Sequence, residues 1–343
     1  MDPTLWLTHL SLPRPDRARW VRAYFEHGRV PGSLVDQARP VLDATRRQVE
    51  EWARRAAPHR IRWLTPLDRE YPRASLGRLH DPPGVIFVRG DLTRLRDEVL
   101  VGVVGARRGT SRGRRVALRL GASLARSEVT VVSGLALGID AAAHQGCVDV
   151  DGRGIAVLAG GIDRITPPRN VGLGEALLER GLLVSEHPPG TRPRPHDFIA
   201  RNRIIAGLSE ALVVVEAARR SGALTTLDFA MQVGSTAMVV PGPVDCPHSE
   251  GTLAALRDGA VPVRHAQDVL DSMGLVFDPA GDAPLGLGEI PETAEEIARR
   301  TKAPIPMVLA ALGEGELLGT VQRAGADRWC AGAYGLPGRR GRT

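Results

Sequence analysis

Val99-Leu-Val-Gly-Val-Val-Gly-Ala-Arg-Arg-Gly-Thr-Ser-Arg-Gly113 decides the fold. An unbroken apolar run, Val99–Val104, passes into a turn of glycine and arginine, and then into a helix opened by Thr110 and Ser111. A strand that is apolar on both faces belongs in a sheet covered on both sides. The unit recurs downstream. Apolar runs at Val99–Val104, Val129–Ser133, Gly154–Leu158, Leu182–Ser185, Ala211–Val215 and Ala237–Val240 alternate with helical periodicity near 112–126, 138–146, 169–180, 199–208 and 223–233. Strands and helices joined by short loops predict an α/β domain over residues 99–272, built on a doubly wound parallel sheet.

Working outward, residues 1–60 carry helical periodicity: Trp20, Val21, Tyr24 and Phe25, then Val41, Thr45, Val49 and Trp52. Pro31-Gly32 and Pro58 interrupt it, so a small helical N-terminal module is expected. Residues 61–98 read as a connector with short strands at Arg62–Thr65 and Gly84–Gly90. Residues 273–288, rich in Gly, Pro and Asp, read as a linker. Residues 289–335 open with a Thr293–Glu296 capping box and an apolar helix, followed by a second helix over Pro306–Leu312. Leu317–Val321 and Arg328–Cys330 suit a two-stranded wing, an order that fits a winged-helix-like domain. A basic tail, 336–343, closes the chain.

Two or three domains suit 343 residues. No apolar run approaches the ~18 residues of a membrane span, and no signal peptide is visible at Met1-Asp-Pro. Cys147, Cys246 and Cys330 are far apart and odd in number, which suits a reduced cytoplasmic chain without a zinc site or disulfide frame. The net charge is +6, and Lys302 is the only lysine. That balance permits nucleic-acid binding without proving it, and genomic base composition alone can produce such an arginine bias. Basic and acidic residues nearly cancel across the central domain, so any basic site there must be local.

Several loops supply such a site. Gly105, Arg107, Thr110 and Ser111 sit in a glycine-rich turn before a helix, where free N–H groups meet an anion. The glycine spacing fits neither the dinucleotide fingerprint nor a Walker A loop. Ser133-Gly-Leu-Ala-Leu-Gly-Ile-Asp140 lies at a second strand end, where Ser133 and Gly134 allow close approach of a phosphate. Asp140 and His144 stand at i, i+4, but no third metal ligand accompanies them; Asp140 reads as a cap or network partner and His144 as a plain helix residue. A proline-rich loop, Ser185–Pro195, leads to Asp197-Phe-Ile-Ala-Arg-Asn-Arg-Ile-Ile-Ala-Gly-Leu-Ser209. Arg219, Arg220, Ser221 and Gly222 occupy a further strand-to-helix turn. The loops together describe an extended anion-binding edge. No paired catalytic carboxylates, nucleophile–base pair or metal cluster accompanies them, so binding explains these residue types better than catalysis.

Arg201, Asn202 and Arg203 are the central cluster. Arg201, Ile204, Ile205 and Leu208 share a core-facing stripe, and an arginine on a buried stripe requires a partner. The partner is an internal carboxylate or an external anion. Glu186 is the candidate for internal pairing with Arg201 or Arg203. The neighbouring loops favour a reading in which Arg201 is braced by Glu186 and points at a phosphate.

On these motifs the chain resembles the bacterial DNA-processing protein A (DprA) family, also called Smf. The likeness runs from about Leu64 to Asp271. It rests on Ser133–Asp140, Ser185-Glu-His-Pro-Pro-Gly190, Phe198…Arg201-Asn-Arg-Ile-Ile-Ala-Gly-Leu-Ser209, Glu216-Ala…Ser221-Gly-Ala-Leu-Thr225 and Pro241-Gly-Pro. The resemblance implies an extended Rossmann-like domain that binds single-stranded DNA without sequence preference. It also implies loading of the RecA recombinase during natural transformation and homodimerisation through the central domain. The N-terminal module resembles a SAM-like accessory of the family, and no metal or cofactor is expected. By motif match the DNA-binding positions are Arg107, Ser133, Gly134, Arg201, Arg203, Arg219 or Arg220, and Ser221. The family's Gly-x-Asp-x-x-Tyr-Pro motif stands here as Gly161-Ile-Asp-Arg-Ile-Thr-Pro, without the tyrosine.

Aromatic residues are 4% of the chain, so phosphate contacts are expected to outweigh base stacking. Three other readings compete: a phosphoribohydrolase-like enzyme of related fold, a protein-interaction adaptor, and a general recombination or repair accessory. The phosphoribohydrolases carry Pro-Gly-Gly-x-Gly-Thr, which is replaced here by Ser221-Gly-Ala-Leu-Thr and Pro241-Gly-Pro.

Overall fold

Three helices open the chain in the structure, a computed structural model that describes residues 6–11, 14–275, 287, 290–318 and 321–331. They are α1 (Arg14–His27), α2 (Gly32–Ala38) and α3 (Leu42–Ala56). Most of the linker expected over 273–288, and the whole tail expected over 336–343, lie outside the described residues.

Next come β1 (Arg62–Leu64), α4 (Arg73–Leu76) and β2 (Ile86–Gly90). The alternating domain then runs β3 (Leu100–Val104), α5 (Ser111–Arg126), β4 (Thr130–Ser133), α6 (Ile139–Asp149), β5 (Gly154–Leu158), α7 (Val171–Leu177) and β6 (Leu182–Ser185). It continues with α8 (Pro195–Leu208), β7 (Ala211–Val214), α9 (Gly222–Gln232), β8 (Thr236–Val239), α10 (Glu250–Arg257), β9 (Val261–Pro262) and α11 (Ala266–Ser272). Every residue of β3, β4, β5, β6 and β7 is buried, as their unbroken apolar runs require.

One nine-stranded sheet results, in the order β1-β2-β6-β5-β4-β3-β7-β8-β9. Its seven strands from β6 to β9 are parallel; β2 joins β6, and β1 joins β2, antiparallel. The expected connector is therefore the outer part of the same sheet. On one face, Val132, Val157, Val184, Leu212 and Val214 pack against α8 and α9 through Ile204, Ile205, Leu208 and Leu227. On the other, Val101, Val103, Val131 and Val213 pack against α5 and α6. Towards β2, that second face is covered by the N-terminal helices: Trp6, Trp20 and Trp52 share a core with Phe87, Leu158 and Leu183. The N-terminal module is thus welded to the sheet. Fully burying one such aromatic side chain contributes about 1.5–3 kcal/mol.

The C-terminal unit comprises β10 (Glu292–Thr293), α12 (Ala294–Thr301), α13 (Ile305–Leu318), β11 (Val321–Arg323) and β12 (Arg328–Ala331), its strands ordered β10-β12-β11. Thr293 caps α12 in a complete capping box with Glu296. One expectation is corrected: the helix read over Pro306–Leu312 continues to Leu318, so the wing strand starts at Val321 rather than Leu317. Pro306 sits in the first turn, where proline is tolerated, and the helix carries through Gly313 and Gly315 on the good helix formers around them, Leu309 to Leu312, Glu314, and Glu316 to Leu318.

β3 and β7 are neighbours, yet the chain builds β4, β5 and β6 on one side before returning to β7 on the other. This reversal opens a crevice between the loops that follow β3 and β7, the usual ligand position of an open α/β sheet.

Candidate nucleic-acid interface

The crevice is filled by the protein's own carboxylates. After β7, the Glu216 side chain reaches the start of α5 and accepts from Thr110 N at 2.8 Å and from Thr110 Oγ1 at 2.6 Å. The Glu216 carbonyl also accepts from Ala106 N at 2.8 Å. A methyl group on Gly113 would overlap the Glu216 carboxylate, so glycine is required there. Thr110 caps α5 by accepting from Gly113 N at 3.0 Å. Across the crevice, Asp140 accepts from Gly105 N at 3.3 Å and Gly134 N at 3.2 Å. These turns do gather amide N–H groups, as their glycines predict. Asp140 accepts from Gly105 and Gly134, and Glu216 from Thr110.

Ser133 is likewise turned inward. It is wholly buried, and its hydroxyl donates to Val103 O at 2.6 Å, stitching β4 to β3. Gly105, Thr110, Ser133 and Gly134, expected at a phosphate, all make internal hydrogen bonds here. The physical reason is common to all four: a buried polar group takes the nearest partner, and these partners arrive with the fold.

Arg201 occupies the buried stripe of α8 and is 6% exposed. Nη1 donates to Gly134 O at 2.8 Å and to Val157 O, while Nε donates to Asn202 Oδ1 at 3.1 Å. Its guanidinium thus ties together the C-terminal ends of β4 and β5. Burial pushes its pKa down to about 10, with Asp140 opposing the fall and Arg107 adding to it. Burial likewise raises the Asp140 carboxyl, against the pull of Arg201. The brace expected from Glu186 is corrected. Glu186 accepts from Arg203 Nη2 at 2.7 Å, and the pull on Arg201 comes from Asp140.

Arg203, 5% exposed, is consumed internally. Besides Glu186 it donates to Asp81 O at 2.8 Å and Ala200 O at 3.1 Å. Burial opposes its charge, but Glu186 and Asp81 outweigh burial and hold the guanidinium above its usual value. The sequence placed both arginines near an anion; the fold supplies that anion from within. Asn202 bridges to the next loop, donating from Nδ2 to Gly222 O at 3.2 Å. Ser221 caps α9 through Ala223 N at 3.2 Å.

The outer layer of the same edge is different. Arg107, Arg108, Arg112, Arg164, Arg169, Arg192, Arg219 and Arg220 leave the loops after β3, β5, β6 and β7, and all are exposed. Among the described residues none of the eight has a hydrogen bond or ion pair through its side chain. Ser111 and Gly222 are exposed beside them. At the opposite edge several arginines are paired: Arg94 with Asp91 and Asp97 at 3.0 and 3.1 Å, Arg180 with Asp151, and Arg153 with Glu128. Meanwhile Asp163 and Asp197, at the C-terminal edge, accept from the backbone amides of Gly190 and Arg194. Asp140, Asp163, Asp197 and Glu216 are engaged by backbone amides while these eight arginines stay outward, which leaves a concentration of positive charge along the loops after β3, β5, β6 and β7.

Arg107 is held by stacking. Its guanidinium lies 4.5 Å from the centroid of the Phe198 ring on the first turn of α8. Phe198 was missed as a site residue. Its signal was local, an aromatic residue three positions before Arg201 in a chain with only five phenylalanines. Among the described residues no group of three His, Cys, Asp or Glu side chains is arranged to hold a metal ion, and no helix is long and apolar enough to cross a membrane. His144, 0% exposed, is a core residue whose pKa burial pushes down to about 4.

Comparison with known proteins agrees with this geometry. Residues 62–274 match the family model described as DNA recombination-mediator protein A. Protein Smf of Escherichia coli is 34% identical over 314 residues, which cover 84% of this chain and 83% of that relative. Protein Smf of Synechocystis is 41% identical over 217 residues, but there the match spans only 54% of the relative's length. Among solved structures, DNA processing protein A of Streptococcus pneumoniae superposes with a TM-score of 0.68 at 31% identity, covering 80% of this chain and 96% of its own. That of Helicobacter pylori, reported for its single-stranded DNA binding mode, gives 0.56 at 25% identity over 62% of this chain and 95% of its own. With the family model covering the whole sheet from β1 to α11, this chain belongs to the DNA recombination-mediator protein A family, also known as DprA or Smf.

Proposed function

We propose that the C-terminal edge of the sheet holds the backbone of single-stranded DNA, with Arg107, Arg219 and Arg220 as phosphate contacts and Phe198 as a platform for a base. The observation that carries this is the cluster of eight exposed arginines, unpaired among the described residues, on the elements that follow β3, β5, β6 and β7 at this edge. Unpaired cations on a surface are the groups that release counterions from a polyanion. Stacking on Phe198 requires an unstacked base, which favours a single strand over a duplex. The single-strand binding reported for the H. pylori relative supports the same choice.

Family membership supports the further steps. The bound strand is protected and handed to the RecA recombinase during natural transformation or general recombination and repair, in the cytoplasm, by a homodimer of this chain. We infer binding rather than catalysis, because the carboxylates at the edge are engaged by backbone amides and arginines. Titration of a labelled oligonucleotide and of its duplex across a salt series tests the core of this reading. Single-strand preference with a steep salt slope is the expected result; duplex preference, or no binding at low salt, overturns it.

A further inference from the structure

We propose that Glu216 is a built-in occupant of the phosphate seat of this fold. It makes the protein indifferent to free phosphate, mononucleotides and 5′-phosphorylated strand ends, so that the site selects the interior of a strand. The inference rests on the reading that the outer arginines hold DNA backbone. Phosphate bound at the first turn of a helix following a strand is held by amide N–H groups and by the positive end of the helix. Here α5 offers that turn, and Glu216 is already in it. Its two carboxylate oxygens take Thr110 N at 2.8 Å and Thr110 Oγ1 at 2.6 Å. Its own carbonyl is pinned to Ala106 N at 2.8 Å, so the backbone that delivers it cannot swing away independently of the loop. Gly113 leaves space for the carboxylate and for nothing larger than hydrogen. Three independent features thus converge on one negative charge at the base of the crevice.

The consequence is selective. A terminal phosphate seeking the seat meets a fixed carboxylate and finds Thr110 N, Thr110 Oγ1 and Gly113 N already donating within the protein. A phosphodiester held by the exposed guanidinium groups of Arg107 and Arg219 does not need that seat. Glu216 also fixes the loop from which Arg107 projects, so the same contact positions the outer layer.

The test uses the full chain with oligo-dT carrying a 5′-phosphate or a 5′-hydroxyl, and separately with inorganic phosphate read by thermal midpoint against chloride at matched ionic strength. Wild type binds the two oligonucleotides within about twofold and gains no midpoint from phosphate beyond chloride. Glu216→Ala binds the 5′-phosphorylated strand roughly fivefold more tightly and is stabilised by phosphate, as expected for an anion at a vacated helix N-terminus. Glu216→Gln, which keeps the volume and loses the charge, moves in the same direction by less. A wild type that already prefers the 5′-phosphate, or a folded Glu216→Ala indifferent to both probes, overturns the inference. The wild-type arm needs no variant, so a poorly folded substitution does not rescue it. If wild type fails to bind either oligonucleotide, the DNA-binding reading falls, while the phosphate arm still reports on the seat.

Discussion

Arg107→Ala and Arg201→Ala separate the two layers of the site. Arg107 is exposed, without a hydrogen bond, and stacked on Phe198. Its removal costs the fold little, about 0.5–1 kcal/mol for an exposed cation–π contact. Its expected cost lies in binding. Each phosphate neutralised on a single strand contributes about 0.7 to the slope of log affinity against log salt. Relative to 1 M salt, one contact at 0.1 M is worth about 0.7 log units, roughly fivefold or about 1 kcal/mol. Arg201 is the reverse case. It loses bonds to Gly134 O and Val157 O and removes the cation that opposes the burial of Asp140. Bonds from a charged donor contribute about 1.5–3 kcal/mol each, so the substitution is expected to cost about 3–6 kcal/mol of stability. That is a large fraction of the 5–15 kcal/mol typical of a domain. Fluorescence anisotropy over 50–300 mM salt, paired with thermal melting of each variant, reads both quantities. Arg107→Ala should show a shallower slope at nearly unchanged midpoint; Arg201→Ala should lose midpoint first. An unchanged slope in Arg107→Ala, or an unchanged melting midpoint in Arg201→Ala, refutes this division.

Three further outcomes follow from buried groups. Ser133→Ala deletes the bond to Val103 O inside the sheet, and should lower stability by about 1 kcal/mol while leaving the salt slope of DNA binding untouched; a change in slope would return Ser133 to the interface. Burial lowers His144 from 6.5 to about 4, so the unfolded chain takes up its proton first as pH falls. Stability therefore falls through that window by about 1.4 kcal/mol per pH unit for this group; His144→Leu should flatten the denaturant midpoint between pH 6.5 and 4 by that amount, and an unaltered profile contradicts the assignment. Cys147 and Cys330 are buried and burial raises the Cys147 thiol to about 12, whereas Cys246 is half-exposed. A thiol reagent should thus label Cys246 first, and rapid labelling of Cys147 in the native state would show that the α6 face opens.

Much of the fold was legible from local chemistry. The runs Val99–Val104, Gly154–Leu158 and Leu182–Ser185 became β3, β5 and β6 within a residue of their expected ends, because a strand buried on both faces needs apolar residues at every position. The buried stripe of α8 was legible for the same reason, down to the arginine in it. Less legible were β1 and β2, read as a connector. β2 docks antiparallel on β6 and β1 on β2, and Phe87 of β2 packs against Trp52 of α3, a partner far away in sequence.

By itself the sequence determined the alternation of elements, the parallel sheet, and the edge at which arginines, glycines and hydroxyls collect. Those depend on periodicity and loop composition, which are local properties. Only the tertiary structure decided which of these groups face outward. Arg201 and Arg203 carry the same charge as Arg107 and Arg219, and stand in an equally basic segment. Whether an arginine meets Asp140, Glu186 or solvent depends on which strand ends the sheet order brings together. The chain pattern specifies a charge; the partner that satisfies it is chosen by neighbours tens of residues away, and that choice separates the frame of this site from its binding surface.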